Sequence, residues 1–138
     1  MPSFEYKEQE SLIFGKLLRP LIMIEVYSSS KNKWFVIENV LADTGADISI
    51  LPRDIGEVLI SDVTSGTIQE IKGIVPFARL MVFIHNLKFR INGKEFELPV
   101  AIADSHAIPP ILGRVRGLDI FNVSFQKGKK IEMLGNNE

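Results

Sequence analysis

The dipeptide Asn92-Gly93 is a strong β-hairpin signal, because alternating charged and apolar residues stand on both sides of it. A tight two-residue hairpin turn needs positive φ angles, which Asn and Gly adopt most readily. Residues 88–91 and 95–98 each present one wet face and one apolar face. The signal therefore predicts two antiparallel strands that cover one side of a core. Pro99 is expected to end the second strand or to restrict it to a sheet edge.

Most other apolar segments are short and rich in β-branched residues, a pattern typical of strands. Three further strands are predicted at residues 21–27, 34–41 and 79–85. The first two are expected to form a hairpin around a polar segment, and residues 123–133 to form another that turns at Lys127-Gly128. Residues 1–18 are ambiguous between a loose strand and an arm.

Helix signals are scarce. Residues 114–121 are the clearest candidate, although Gly117 weakens the prediction because glycine disfavours helix interiors. Residues 52–57 are expected to form at most one helical turn. The chain is therefore predicted to be all-β with one short helix, folded as a small closed barrel.

The 138 residues predict a single domain over residues 1–138, with a core from about 21 to 125 and a polar tail at 134–138. Lys and Arg number 16 against 17 Asp and Glu, for a net charge of -1. This balance gives no electrostatic footprint for nucleic acid or for an anionic membrane. No apolar stretch is long enough to span a bilayer and no signal-peptide pattern is present, so a cytoplasmic protein is expected.

The chain contains no Cys, which excludes disulfides, thiolate zinc sites and a cysteine nucleophile. Its two histidines, His85 and His106, are a poor metal-ligand set, and we expect no metal and no cofactor. The tripeptide Asp104-Ser105-His106 contains the residue types of a catalytic triad, but adjacent residues do not point at one another. It is interpreted as a polar loop.

The segment 40–52 runs from an apolar strand directly into Asp43-Thr44-Gly45-Ala46. The strand is expected to carry Asp43 toward the interior, where an isolated carboxylate is costly. The Thr44 hydroxyl can satisfy buried backbone groups, and the N–H groups of Gly45 and Ala46 can donate to the carboxylate. On the tripeptide alone, an ordinary turn after a strand is the better interpretation.

A second segment changes this interpretation. About 65 residues later the chain reads Ile108-Pro109-Pro110-Ile111-Leu112-Gly113-Arg114, in which two apolar residues and a glycine precede the candidate helix. Together the two segments resemble the retropepsin-like aspartic proteases, the family of retroviral proteases and their cellular and prokaryotic relatives. The resemblance covers roughly residues 21–125. It implies the acid-protease barrel with one lobe per chain.

The resemblance implies an aspartic endopeptidase with Asp43, Thr44 and Gly45 as its catalytic residues. That chemistry needs two facing carboxylates, and the chain contains Asp-Thr-Gly once and Asp-Ser-Gly not at all. The second carboxylate must then come from another chain through a two-fold homodimer. Because two adjacent like charges cannot both ionise easily, the pair holds a proton and activates a water between its members. An extended peptide or protein is the implied substrate.

The family pattern also implies the roles of neighbouring residues. Thr44 would bond across the dimer axis, Gly45 would accept from the substrate backbone, and Asp47 would meet that backbone while pairing with Arg114. The implied substrate-binding residues are Ala46, Asp47, Ile48, Ser65, Gly66, Thr67, Ile68 and Ile111. Leu112, Gly113 and Arg114 would support the site.

A hairpin flap is expected over residues 62–74, with its tip at Ser65-Gly66-Thr67, where the residue types favour a turn. The alternative is a plain surface hairpin. Ile48, Ile68, Ile74 and Ile111 would give apolar pocket walls, which suggests apolar side chains on both sides of the cut.

Two other functions remain open at this point. One is a dimer of the same fold that binds peptides or scaffolds a complex with little or no hydrolysis, because a fold does not dictate a function. The other is a structural dimerisation module in which Asp43 serves loop geometry alone. The intact Asp43-Thr44-Gly45 favours the protease.

Overall fold

The computed structural model describes residues 3–72 and 79–135. Most of these residues lie in strands. The strands are β1 (Ser3–Glu5), β2 (Lys7–Ser11), β3 (Gly15–Arg19), β4 (Leu21–Ser28), β5 (Lys33–Ala42), β6 (Ser49–Leu51), β7 (Thr67–Lys72), β8 (Arg79–Ile91), β9 (Lys94–Ala103), β10 (Ile111–Leu112), β11 (Asn122–Gln126) and β12 (Lys130–Leu134). The helix α1 spans Arg53–Leu59, and two short 3-10 helices cover Val63–Ser65 and Leu118–Ile120.

Six strands form a closed barrel in the order β4-β5-β10-β6-β9-β8, and β8 returns to pair with β4. The closing contact is short and antiparallel, with Glu25 opposite Arg90 and Val26 opposite Phe89. β7 extends the sheet beyond β8 and, among the described strands, pairs with β8 alone. The predicted all-β closed barrel with one short α-helix is thus confirmed.

The interior of the barrel is filled by aliphatic and aromatic side chains from all six of its strands. Ile22, Ile24 and Val26 alternate along β4 and are at most 1% exposed. A separate sheet, ordered β1-β12-β11, lies over one part of the barrel. It contributes Ile131 and Met133, which are fully buried members of the same core.

The local hairpin signals are confirmed. β4 and β5 form the first predicted hairpin, and β8 and β9 turn at Asn92-Gly93, where φ is 48° and 85°. The chain also turns as predicted at Lys127-Gly128, with φ values of 52° and 68°. Asn92, Gly93 and Gly128 are of residue types that tolerate the left-handed region. Lys127 adopts the same region beside the glycine of its turn.

The predicted helix at residues 114–121 is wrong. Arg116 has a φ of 57°, and only Leu118–Ile120 closes a single 3-10 turn. The backbone coils tightly here, and a Cβ on Gly117 would lie 2.5 Å from the Gly113 carbonyl oxygen. The only α-helix in the described ranges is instead α1, which covers most of the segment expected to form one turn.

The expectation for Pro99 is also wrong, because β9 continues through it to Ala103. β8 pairs with β9 on one side of the proline, opposite Asn86. On the other side, pairing with β6 begins one residue later, at Val100. Pro99 therefore occupies a position with a neighbouring strand on one side only, where the loss of a backbone donor is tolerated.

The ambiguous N-terminal segment forms three strands that belong to two different sheets. β1 pairs with β12, whereas β2 and β3 form a hairpin that is a sheet of its own. Lys7 Nζ donates to Asn39 Oδ1 of β5 over 3.1 Å, which ties the base of this hairpin to the barrel. Within the described ranges, no helix is long and apolar enough to cross a membrane.

The barrel closure carries an ion pair on its outer face. Arg90 donates to both carboxylate oxygens of Glu25 over 3.0 and 2.7 Å, and its guanidinium lies 4.1 Å from the ring centroid of Trp34. The hydrogen bond from Arg90 holds the pKa of Glu25 below its ordinary value, although partial burial opposes the shift. The same bond raises the pKa of Arg90.

We expect Glu25→Gln to lower the urea midpoint of unfolding at neutral pH, because the ionised carboxylate is the partner of Arg90. A carboxylate whose pKa is lower in the folded state than in the unfolded state stabilises the fold fully at pH values above its unfolded-state pKa. This stabilisation is lost as the pH falls through the folded-state pKa. The difference between wild type and variant should therefore shrink progressively below pH 4.5. Urea unfolding across acidic and neutral pH, with the exposed Glu38→Gln as control, measures this. A difference that does not depend on pH would contradict it.

Candidate active site

Asp43 is the first residue after β5, at the point where the barrel strand opens into a loop. Its backbone N–H donates to the Leu112 carbonyl oxygen over 3.0 Å, which extends the parallel pairing between β5 and β10. One residue earlier, the Ala42 N–H donates to the Pro20 carbonyl oxygen, also over 3.0 Å. Neighbouring chain on both sides therefore fixes the backbone that carries the carboxylate.

The loop then folds back on the carboxylate. The Gly45 N–H donates to Asp43 Oδ1 over 2.9 Å, as predicted. The Ala46 N–H differs from the prediction, because it donates over 3.2 Å to the Asp43 carbonyl oxygen rather than to the carboxylate. Asp43 is half-buried, while Thr44 and Gly45 are exposed in the single chain. The turn thus orients the carboxylate and leaves its surroundings open.

The downstream segment locks onto this loop by backbone hydrogen bonds. Arg114 donates to the Ala46 carbonyl oxygen and Val115 to that of Asp47, both over 2.9 Å. Gly113 is the close-approach residue, because a Cβ there would lie 2.6 Å from the carbonyl carbon and oxygen of Ile48. The expected packing of the two segments is confirmed, and it explains the requirement for glycine at position 113.

Asp47 and Arg114 also pair through their side chains, as the resemblance implied. Arg114 Nη2 lies 3.4 Å from Asp47 Oδ1, and the Asp47 side chain is 86% exposed. An exposed pair at this distance contributes little to stability. Its carboxylate therefore stays available for another hydrogen-bond donor beside the loop.

Ser49 is a supporting residue that the sequence analysis missed. Its side chain is fully buried, and its Oγ accepts from the Gly113 N–H over 2.9 Å. It therefore satisfies a buried backbone donor in the segment that holds Asp43. The available signal was a lone hydroxyl residue between Ile48 and Ile50, in a short apolar strand that leaves the motif.

The predicted flap tip is wrong. Ser65 ends a 3-10 helix, and Thr67 begins β7 opposite Ile84, so this segment lies at the base of the β7–β8 hairpin. Gly66 is a packing residue there, because a Cβ on it would lie 2.6 Å from His85 Nε2. The same His85 nitrogen is 2.6 Å from the Val63 carbonyl oxygen.

The hairpin itself exists, and its connection falls between Lys72 and Arg79, outside the described residues. Gly73 and Ile74, predicted to belong to the flap, lie in this undescribed segment. Ile68 stands on β7 opposite Phe83 and is 59% exposed. Ile48 and Ile111 are partly buried beside the Asp43 loop, where Ile111 pairs with Leu41 and Ile50.

Comparisons with known proteins give a likeness among solved structures only. No family model matches the chain, and no curated protein matches it. Among solved structures, it is similar to the EIAV protease complexed with the inhibitor HBY-793, at 24% identity and a TM-score of 0.48. The match covers 70% of this chain and 82% of that one. In this chain the barrel is closed, and the Asp43 loop pairs with the Leu112-Gly113 segment.

We expect Ser49→Ala to destabilise the protein by about 1–3 kcal/mol, because the buried Gly113 N–H would lose its acceptor. Ser124→Ala is the matched control, since Ser124 also lies in a strand but is exposed. Its cost should stay within about 0.5 kcal/mol. Urea unfolding of both variants measures the difference, and equal small effects would show that Ser49 does not hold the segment.

Proposed function

We propose that this protein is a homodimeric aspartic endopeptidase in which two copies of Asp43, one from each chain, activate a water molecule. The observation that carries the proposal is the Asp43 loop. Its carboxylate accepts from the Gly45 N–H over 2.9 Å, and its backbone is clamped by Leu112. Such a held yet accessible carboxylate is suited to general acid–base catalysis.

The dimer follows from the number of carboxylates. The chain has one Asp-Thr-Gly loop, whereas hydrolysis without a covalent intermediate needs both a base and an acid. Because Thr44 and Gly45 are exposed beside Asp43, the loop can meet its own copy across a two-fold axis. In that arrangement the Thr44 hydroxyl would face the partner chain, and the single chain would be inactive.

The reaction needs one proton shared by the two carboxylates. The ionised Asp43 takes a proton from the bound water, which attacks the carbonyl carbon of the scissile bond. The protonated Asp43 of the other chain polarises the carbonyl oxygen and later supplies a proton to the leaving amine. Because one carboxylate must be ionised while the other is protonated, activity should show a bell-shaped dependence on pH.

The substrate would be an extended peptide that lies between the Asp43 loops and the β7–β8 hairpins. Ile48 and Ile111 lie beside the Asp43 loop, and the side chain of Ile68 on β7 is exposed. These side chains favour apolar residues on both sides of the cut. The Asp47 carboxylate is exposed and only weakly paired with Arg114, which supports a role as acceptor from a backbone N–H of the peptide.

We expect Asp43→Asn to lower peptide-library cleavage by at least about 10²–10⁴-fold, the usual worth of a general acid–base group. The control is Asp54→Asn on α1, where the Asp54 Oδ1 accepts from the N–H of its neighbour Ile55 and an amide oxygen can do the same. Cleavage rates from acidic to neutral pH, with the mass measured by sedimentation in the same buffers, make the test.

The outcomes separate the candidate functions. A dimer with bell-shaped activity that disappears in Asp43→Asn supports the protease. A dimer that binds peptides and never cleaves them, with or without the substitution, would replace it with the peptide-binding or scaffolding function. A strict monomer that still cleaves would contradict the shared carboxylate pair.

A further inference from the structure

The tip of the β2–β3 hairpin exposes three consecutive large apolar residues. Leu12, Ile13 and Phe14 are 107%, 84% and 73% exposed. They follow β2 and precede the turn glycine, Gly15. Isolated exposed apolar residues are common, but a contiguous cluster at a projecting tip indicates a surface that binds something.

The tip has a defined shape. The Ser11 Oγ accepts from the backbone N–H groups of Ile13 and Phe14 over 3.3 and 3.2 Å. Gly15 adopts a φ of 76°, and the Lys16 N–H donates to the Phe14 carbonyl oxygen over 3.0 Å. Because these bonds preorganise the backbone of the turn, little backbone freedom remains to be lost on binding.

The hairpin leaves the barrel beside the candidate active site. β3 ends at Arg19, and the carbonyl of the next residue, Pro20, accepts from Ala42, which directly precedes Asp43. Five residues per strand carry the tip roughly 17 Å from this base. The tip therefore extends from the end of the barrel at which the proposed dimer must form.

A groove that suits this tip lies on the β11–β12 hairpin of the same chain. It has a volume of about 540 Å³, within the usual range of binding pockets. It is lined by Phe125, Gln126, Lys127, Lys129 and Lys130. Phe125 gives it an apolar wall that is 40% exposed, and none of the three lysines forms a salt bridge among the described residues.

The charges of the two surfaces are complementary. Glu8 and Glu10 flank the apolar tip on β2, and both are exposed. Glu8 lies 3.5 Å from Lys16 within the hairpin, whereas Glu10 has no salt bridge among the described residues. Lys16 lies opposite Glu10, so the part of the hairpin next to the tip carries two carboxylates against one ammonium. This surplus of one negative charge matches the three lysines beside the apolar wall of the groove.

The β2–β3 hairpin, residues 7–19, is called the arm below. It starts beside the groove, since the N–H of Tyr6, the residue before β2, donates to the Lys129 carbonyl oxygen over 2.8 Å. The side chains of the tip are exposed in the single chain, so the tip does not fill the groove of its own chain. We propose that the Leu12–Phe14 tip of each chain binds the Phe125 groove of its partner, and that this reciprocal exchange holds the dimer together. The inference rests on the proposed function for its two-fold axis.

The first test compares tip and control variants by sedimentation velocity over a range of protein concentrations. The tip variant replaces Leu12, Ile13 and Phe14 with Gln, and the control is Val58→Gln, a residue 44% exposed on α1. We expect the tip variant to raise the dimer dissociation constant by at least about tenfold, a change of about 1.4 kcal/mol. We expect the control to leave it unchanged. Equal dissociation constants in all three proteins would overturn the proposal.

A mixing experiment identifies the groove. Phe125→Gln removes the apolar wall, and by itself should weaken the dimer as the tip variant does. A mixed dimer of the two variants keeps one intact tip and one intact groove, which neither variant alone possesses. Mixing should therefore restore part of the association. Failure of the mixture to associate better than either variant alone would place the tip against another surface.

The same samples separate this inference from the proposed function. Peptide cleavage by a dimer whose dissociation constant is unchanged by the tip substitutions would support the protease and overturn the arm exchange. Tip-dependent dimerisation without any cleavage would support the arm exchange and reject the protease. Vesicles of mixed neutral and anionic phospholipid serve as a further probe. Tip-dependent binding to them by a chain that never dimerises would overturn the second copy as the occupant.

Discussion

The hydrogen bond from the Asp43 N–H to the Leu112 carbonyl is the interaction on which the site depends. It continues the pairing of β10 with the end of β5, and β10 also pairs with β6. A strand of only two residues thus bridges two halves of the barrel. The carboxylate is presented by the residue directly after a paired strand, where the backbone is better fixed than in a free loop.

This bridge requires close approach of two chain segments, and glycine and serine make it possible. Gly113 admits the Ile48 backbone where any Cβ would clash, and Ser49 accepts the donor that this approach buries. Neither residue reacts with anything in the proposed mechanism. They affect Asp43 through geometry. If the Leu112-Gly113 segment were displaced, the Leu112 carbonyl that accepts from the Asp43 N–H would move with it.

Much of the fold could be predicted from local signals, because a hairpin turn is decided by the few residues that form it. Asn92-Gly93 and Lys127-Gly128 turn where expected. The function of a single glycine could not be predicted in this way. Gly66 suggested a hairpin tip, yet it serves a contact with His85, which lies 19 positions further along the chain.

The same limitation explains the wrong helix and the missed support. Residues 114–121 have a partly helical composition, but tight packing of Gly117 against Gly113 forces a different path. Ser49 resembles any strand serine until its partner, 64 residues away, is known. Of the candidate site, the motif pair and the Asp47–Arg114 contact were predictable from a family pattern. The contacts that hold them were not, since they join residues that no local pattern relates.

The single chain exposes two kinds of surface, the Asp43 loop and the tip of the β2–β3 hairpin. The Asp43 loop is polar and small, and its exposed residues Thr44 and Gly45 offer little apolar area. Such a loop can specify how two copies meet, but burying it releases little hydrophobic free energy. The apolar area stands on the arm instead, at Leu12, Ile13 and Phe14. In the proposed dimer, association and catalysis therefore rest on separate elements, so the loop geometry is set by chemistry while the arm sets affinity.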